Sequence, residues 1–415
     1  MDRVLNQIRP EELPPVVVAD VFQTGLNLMR DLSRHQVQVI GVDCNLQHVG
    51  FRSIYGRSQL CPNPDTQPAE WLRFMQALSR QLGAKPVIIP AADIWVSALG
   101  KHREALSDYY IFSNSAIATQ AALATKEQQY ALAQRCGFPC PRTSYIQSYE
   151  MLRSFAQTAR FPCLLKPRHQ REWDLLPPGN PLRGQKLVTA ENPELLYNQY
   201  AHSEHYCPDL IVQEVIAGPD NSKYCYLSVY GGDSSRLGYC VVQEFRAQPV
   251  LFGSASIVQP VVDEEIATLC DSFLRKIAYV GICEIEVKRD ARDHRVLLIE
   301  VNPRFSVTAD SATYAGVEVG WLHYLDLIGC EVHQAKPSRY DFRHIVLRRE
   351  VPSAIRYLQN GMITWRELVQ SYRMDLEFFD FDLRDWRVTA ETVWFCLHHI
   401  VGTLLRTLGL FRPTK

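Results

Sequence analysis

Residues 281–304, GICEIEVKRDARDHRVLLIEVNPR, constrain this chain more than any other stretch. Side chains switch face at every residue of a strand, and two runs here alternate with that period. In 281–288, Cys283, Ile285 and Val287 share one face, and Glu284 and Glu286 share the other. In 295–301, Leu297, Ile299 and Val301 share one face, and Leu298 and Glu300 the other. Asp290-Ala-Arg-Asp293-His between them is turn chemistry. With the turn centred near Asp293, Glu286 stands opposite Glu300, their Cβ atoms about 5 Å apart. Asn302, two residues on, shares the face of Glu300. Facing carboxylates repel unless a cation lies between them. Two acids and an amide oxygen make a hard-oxygen set suited to magnesium or manganese. The alternative is a solvated strand face beside Lys288 and Arg295, and a register slip of one residue would separate the acids.

The chain has 415 residues, enough for two or three domains with substantial cores. A net charge of -1 supplies no field that would point to nucleic acid or a membrane surface. The 12 cysteines are scattered, and only Cys136 and Cys140 lie close together. Without a second pair or a histidine cluster, they read as reduced, buried thiols of a cytoplasmic protein. The first 13 residues are charged and lack an apolar run, so no signal peptide is expected. Residues 388–411 are apolar but include Glu391, His398, His399 and Arg406. That content argues for a packed or surface-lying helix rather than a membrane span.

From the N-terminus, residues 14–19, 36–43 and 85–90 read as strands, and 20–34 and 71–82 as helices. A βαβαβ order implies a parallel sheet with right-handed crossovers. The glycine fingerprint of a dinucleotide site is missing, since only Gly25 follows the first strand. Asp93, just past the third strand, either faces a ligand there or caps the next helix.

Residues 121–137 read as a helix, with Thr125 as N-cap and Gly137 as C-cap. Residues 161–167, FPCLLKP, run an apolar strand directly into Lys166, and a cation in that position needs a partner such as phosphate. Residues 210–220, LIVQEVIAGPD, are a strand ending at Gln213-Glu214 before a turn. Residues 223–230 and 237–246 read as strands around Gly231-Gly232-Asp233. Residues 311–329 look helical. Beyond Pro337, residues 339–350 suggest a strand, 365–372 and 391–408 helices, and 378–383 an aromatic, acidic linker.

IEVNPR after EIEV resembles the metal-binding end of the ATP-grasp superfamily. The other stretches match it in order and spacing over roughly residues 14–330, most closely in its carboxylate–amine ligase or D-aspartate ligase-like branch. The resemblance implies an α/β (α+β ATP-grasp) fold. A small parallel α/β domain, 1–115, would precede an ATP-grasp domain, 116–330, with subdomains of about 126–209 and 210–330. A helical C-terminal extension, 331–415, would follow. It implies that ATP and one or two Mg2+ or Mn2+ ions are bound. Glu286, Glu300 and Asn302 would hold the metal. Lys126 and Lys166 would contact the phosphates. Backbone atoms around Glu214 and Ile216, in the stretch Gln213, Glu214, Val215 and Ile216, would hold adenine, and Asn221 the ribose. Arg304 would contact the transferring phosphoryl group, and Arg246 the reacting groups. The glycine-rich phosphate loop of many relatives is replaced by RHQREWDLLPPGNPLRGQKLVTA, in which Arg183 or Lys186 would serve.

The activity implied is ATP-dependent joining of a carboxylic acid to an amine through an acyl phosphate, releasing ADP and phosphate, in the cytoplasm. A carbamoyl-phosphate-synthetase-like enzyme is less favoured, because no glutaminase or biotin-carrier segment is visible. A catalytically weak nucleotide-binding regulator is the alternative from another class, favoured by the altered loop and by Asn221. Small-molecule substrates are the expected partners, with no nucleic acid and no membrane span. The C-terminal extension has two open uses, capping the module or forming a homodimer.

Overall fold

The computed structural model describes residues 13–123, 125–168, 172–207, 209–251 and 253–407. Sequence readings of the two chain ends and of His169, Gln170 and Arg171 lie outside the described residues. The chain groups into two compact units. One comprises Met1–Phe138, Pro219–Val287 and Glu300–Lys415, and the other Pro139–Gly218 and Lys288–Ile299.

In the first unit, β1 (Val16–Ala19) is four buried apolar residues, as a central strand covered on both faces requires. There follow α1 (Gln23–Ser33), β2 (Val39–Asp43), β3 (Arg57–Leu60), α2 (Pro68–Gln81), β4 (Val87–Pro90), α3 (Asp93–Lys101) and α4 (Arg103–Leu106). The strands form a parallel sheet ordered β3-β2-β1-β4. The sequence reading lacked β3, because RSQL shows no apolar alternation and this edge strand is only partly buried. Strand order reverses beside β1, and ligands of such sheets bind past the strand ends at that point. The chain leaves β1 through Asp20, whose φ is 104°. A Cβ on Gly25 would lie 1.8 Å from the Asp20 carbonyl oxygen, so only glycine permits this turn.

α5 (Asn114–Ala121) precedes α6 (Lys126–Arg135), which is the helix expected over 121–137, begun after Thr125. Thr125 caps α6 in a reciprocal box with Gln128. Gly137 (φ 75°) ends it, and the Phe138 amide donates to the Ala133 carbonyl at 2.8 Å.

The second unit holds β5 (Thr143–Ile146), α7 (Tyr149–Ala156), β6 (Cys163–Pro167), β7 (Val188–Ala190), α8 (Pro193–Ala201) and β8 (Leu210–Glu214). Its antiparallel sheet runs β5-β8-β6-β7 over a core that includes Ile146, Phe155, Leu165, Trp173 and Val212.

The chain continues through β9 (Lys223–Tyr230), β10 (Arg236–Gln248), β11 (Ser254–Val261), α9 (Glu264–Lys276), β12 (Gly281–Arg289) and β13 (Val296–Asn302). Then come α10 (Ala309–Tyr314), α11 (Val319–Leu327), β14 (Phe342–Ile345), α12 (Leu347–Gln359), α13 (Trp365–Gln370), β15 (Asp375–Phe378) and α14 (Trp386–Thr407). A seven-stranded sheet is ordered β13-β12-β9-β10-β11-β14-β15. The helix expected over 311–329 is broken at Gly316, where φ is 97°. In the extension the strand read over 339–350 is confined to β14, which pairs with β11, since α12 begins at Leu347, and a further strand, β15, lies parallel to β14. One core joins Val18, Leu28 and Met29 to Val229, Phe305, Trp321 and Phe342. Among the described residues one helix, Trp386–Leu405, is long and apolar enough to cross a membrane, and 17% of it is buried.

Candidate active site

β12 and β13 are neighbours in the large sheet, and their ends in the first unit gather the carboxylates. The Asn302 side-chain amide donates to Glu284 Oε2 at 3.1 Å and to Glu286 Oε1 at 3.0 Å. The Thr308 hydroxyl donates to the other oxygen of Glu284. Burial, then the charges of Glu284, Glu300 and Glu244, push Glu286 up to about 8, against the pull of Lys126. Lys126 Nζ lies 3.3 Å from Glu300 Oε2. Negative charge is therefore in excess, and the α6 lysine offsets part of it. The donors are hard oxygens, so the cluster fits a magnesium-like ion. As a ligand, Asn302 would present its amide oxygen in place of the nitrogen that now faces the acids.

Glu284 belongs to this group and is absent from the sequence-based set. The signal was present, since Glu284 and Glu286 stand two apart on one strand face. Lys223 and Glu244 had no such signal, because β9–β10 pairing brings them together. Lys223 Nζ lies 2.9 Å from Glu244 and 3.3 Å from Asp220. Burial opposes the charge on Lys223, but these two acids outweigh it and raise its pKa.

Arg304 follows β13 and donates through Nε to Asp93 at 2.7 Å, and through Nη2 towards Asn302 Oδ1 at 3.5 Å. Asp93 is the first residue of α3 rather than its cap, which is Ala92. Arg246 lies elsewhere. It is buried, donates through Nε to Glu350 at 2.8 Å and through Nη2 to Ser371 at 2.9 Å, and lies over the Tyr372 ring. That engagement ties β10 to the C-terminal extension and favours a structural role. Arg349 near the start of α12 went unnoticed in the sequence. It donates to Gln23 Oε1 at 2.8 Å and the Ala255 carbonyl at 3.3 Å, both neutral, and burial lowers its pKa. Among the described residues no carboxylate hydrogen-bonds it. The Asn221 carbonyl accepts from Gln243 at 2.6 Å, and its side chain is exposed.

In the second unit, Lys166 sits in β6 opposite Ile211 of β8, and Lys186 is exposed before β7. Gln213 is buried and donates to Thr143 at 2.8 Å. The Glu214 amide donates to the Arg142 carbonyl and the Val215 amide to the Pro162 carbonyl, each at 2.9 Å. The Val215 carbonyl accepts from Arg292 at 3.0 Å, and Ile216 is buried. The end of β8 is thus a fixed backbone edge.

Asp20, Asp43 and His48 also converge, with ligand atoms within 4.8 Å of one another. Asp43 accepts from the Val21 and Asn45 amides and lies 2.7 Å from His48 Nδ1, while Asp20 accepts from Gly25 at 3.2 Å. Burial and Asp43 raise Asp20 to about 6. These bonds shape the turns after β1 and β2.

A parallel N-terminal sheet, an antiparallel four-stranded unit and a larger sheet carrying an acid cluster make up a fold of the ATP-grasp type, which solved structures share. D-aspartate ligase of Enterococcus faecium is 23% identical over 272 residues, 63% of this chain and 64% of that protein. The arginine-specific carbamoyl phosphate synthase large chain of Geobacillus stearothermophilus is 27% identical over 195 residues, 45% of this chain. The match spans 17% of that large chain, so this chain corresponds to less than two thirds of either relative. Among solved structures, biotin carboxylase of Campylobacter jejuni with β,γ-ATP superposes with a TM-score of 0.59 at 16% identity, covering 80% of this chain and 74% of that one. The biotin carboxylase domain dimer of Hydrogenobacter thermophilus 2-oxoglutarate carboxylase, with MgADP and bicarbonate, gives 0.58 at 15%, covering 79% and 73%. N5-carboxyaminoimidazole ribonucleotide synthetase of Thermus thermophilus gives 0.57 at 14%, covering 78% and 80%. No protein-family profile matches the chain.

Proposed function

We propose that this protein joins a carboxylic acid to an amine at the expense of ATP. The observation that carries the reading is the cluster of Glu284, Glu286, Glu300 and Asn302, with Lys126 on Glu300 and Arg304 beside Asn302. Glu286, Glu300 and Asn302 would hold one or two magnesium ions, with Glu284 beside them, and such ions neutralise charge on a transferring phosphoryl group. Lys126, Lys166 and Lys186 neutralise further phosphate charge, while residues 213–216 take the adenine and Asn221 the ribose. Arg304 donates in a planar fork to the phosphoryl group, and Arg349, held by neutral oxygens, suits the acid.

An oxygen of the acid attacks the γ-phosphorus, and the bond from that phosphorus to the bridging oxygen breaks as ADP leaves. The amine nitrogen then attacks the acyl carbon, phosphate departs, and the nitrogen loses a proton. The protein supplies positioning and charge, as phosphoryl transfer requires, and needs no nucleophile of its own. The D-aspartate ligase relative makes amino acids the first substrates to screen. Use of ATP and small metabolites supports a cytoplasmic location. With the correct acid carrying 18O in its carboxylate, label should appear in released inorganic phosphate. Release of AMP and pyrophosphate would reject the mechanism, and phosphate release indifferent to every acid and amine would favour the regulatory binder.

A further inference from the structure

We infer that α14 is a dimerisation helix, which pairs antiparallel with the same helix of a second copy of this chain. The inference does not rest on the ligase reading. The inner face of α14 is committed to its own unit. Val388 packs with Leu26 and Val49, Thr392 accepts from Arg348 at 3.0 Å, and Glu391 pairs with Arg52 at 2.6 Å and Arg348 at 3.0 Å. These contacts set the rotation of the helix, so its other face must point outward.

That outer face is apolar along its length. Trp386, Ala390, Val393, Leu397, Ile400 and Leu404 are all exposed, Trp386 at 61% and Leu397 at 57%. Their spacing is four, three, four, three, four. Alternating steps of four and three make a seven-residue repeat, the period of a seam between two helices crossing at a shallow angle. Trp394, 65% exposed, and Val401, 51% exposed, widen the stripe on one side. A lipid surface needs no such repeat and favours a basic flank. Between Trp386 and Leu404 only Arg387 and Glu391 are charged, and Glu391 is already paired.

The spacing is symmetric about Phe395, which makes the seam self-complementary under a two-fold axis. Antiparallel pairing sets Trp386 against Leu404 of the partner subunit, Ala390 against Ile400 of the partner subunit, and Val393 against Leu397 of the partner subunit. A large residue thereby meets a medium one at each end and a small one meets Ile, while the helix dipoles oppose favourably. The eight side chains offer on the order of 700 Å² of apolar surface, close to the ~800 Å² per partner of a standard stable interface.

The test takes the full chain through sedimentation equilibrium from about 0.1 to 50 μM, beside Leu397→Glu and Val401→Glu. Wild type should have the dimer mass, and each variant should weaken dimerisation by at least about 100-fold because a charge enters the apolar stripe, at its seam for Leu397 and beside it for Val401. Melting temperatures within a few degrees of wild type would show both variants folded, as expected for exposed positions, and if one fails to fold the other still decides. Trp365→Glu, exposed on α13, should remain dimeric. A monomeric wild type at the highest concentration, dimers that survive both substitutions, or a monomer that co-floats with phosphatidylserine vesicles would each overturn the proposal.

Discussion

Glu286 is a half-buried carboxyl with three acids acting on it, and desolvation first, then their charges, raise its pKa. Lys126 offsets part of that charge through Glu300. Glu300→Gln removes one charge from the cluster while keeping the side chain's shape. It should lower ATP-dependent turnover by at least about 100-fold, as loss of transition-state charge stabilisation does. The melting temperature should hold or rise slightly, because like charges are relieved. Turnover at the wild-type level in steady-state assays would remove Glu300 from the proposed metal set. Asp31 poses the same charge problem away from the site. It accepts from Thr313 at 3.2 Å and from the Gly320 amide at 3.1 Å, and burial, then Glu318, push it to about 7. An unfolded aspartate titrates near ~3.9, so between about pH 4 and 7 the folded protein holds more protons than the unfolded one. Asp31 therefore makes stability fall as pH rises through that window. Asp31→Asn should flatten the fall, and its advantage in urea unfolding should be greater at about pH 8 than at about pH 4.

Each element that presents a candidate residue has its own means of fixing it. The capping box at Thr125 determines where α6 begins, and so where Lys126 emerges. β6 carries Lys166 on a strand paired on both sides, with β8 and β7 as neighbours. Lys166→Ala should weaken ATP binding by about 10-fold to 100-fold in calorimetry, since a charge-assisted contact is worth ~1.5–3 kcal/mol. Unchanged affinity would reject the phosphate role. β12 shows how an element's pattern can be read correctly and its membership incompletely. Alternation placed Glu284 and Glu286 on one face, yet only the Asn302 amide, which donates to both, shows Glu284 to be part of the group.

At the scale of the whole molecule, the C-terminal extension is structural to the large sheet. β14 and β15 complete one side, and the buried Arg246–Glu350 pair joins β10 to α12. Glu350 also accepts from Ser256 at 2.7 Å and Tyr372 at 2.5 Å. Arg246→Met leaves that carboxylate buried without its cation, which typically costs ~3–5 kcal/mol. The urea midpoint should drop accordingly, and Arg246→Met combined with Glu350→Gln should recover much of the loss. A midpoint unchanged in the single variant would return Arg246 to the candidates for the reacting groups.

The sequence by itself determined what depends on local period and local chemistry. Val16–Ala19 is apolar at every position, as a strand buried on both faces must be, and Thr125 and Gly137 carry cap chemistry at the two ends of α6. The EIEV and IEVNPR runs alternate as strands do, which put two acids on one face of β12. Tertiary structure decided what depends on residues far apart in the chain. β3 is polar and becomes a strand because β2 offers it an edge. The helix over 311–329 breaks because Gly316 adopts a positive φ beside Ser338. Arg246 lies near Glu350, 104 residues away, and Lys126 near Glu300. Pairings of that range leave no periodic trace, because burial and charge balance select them only after the strands have assembled.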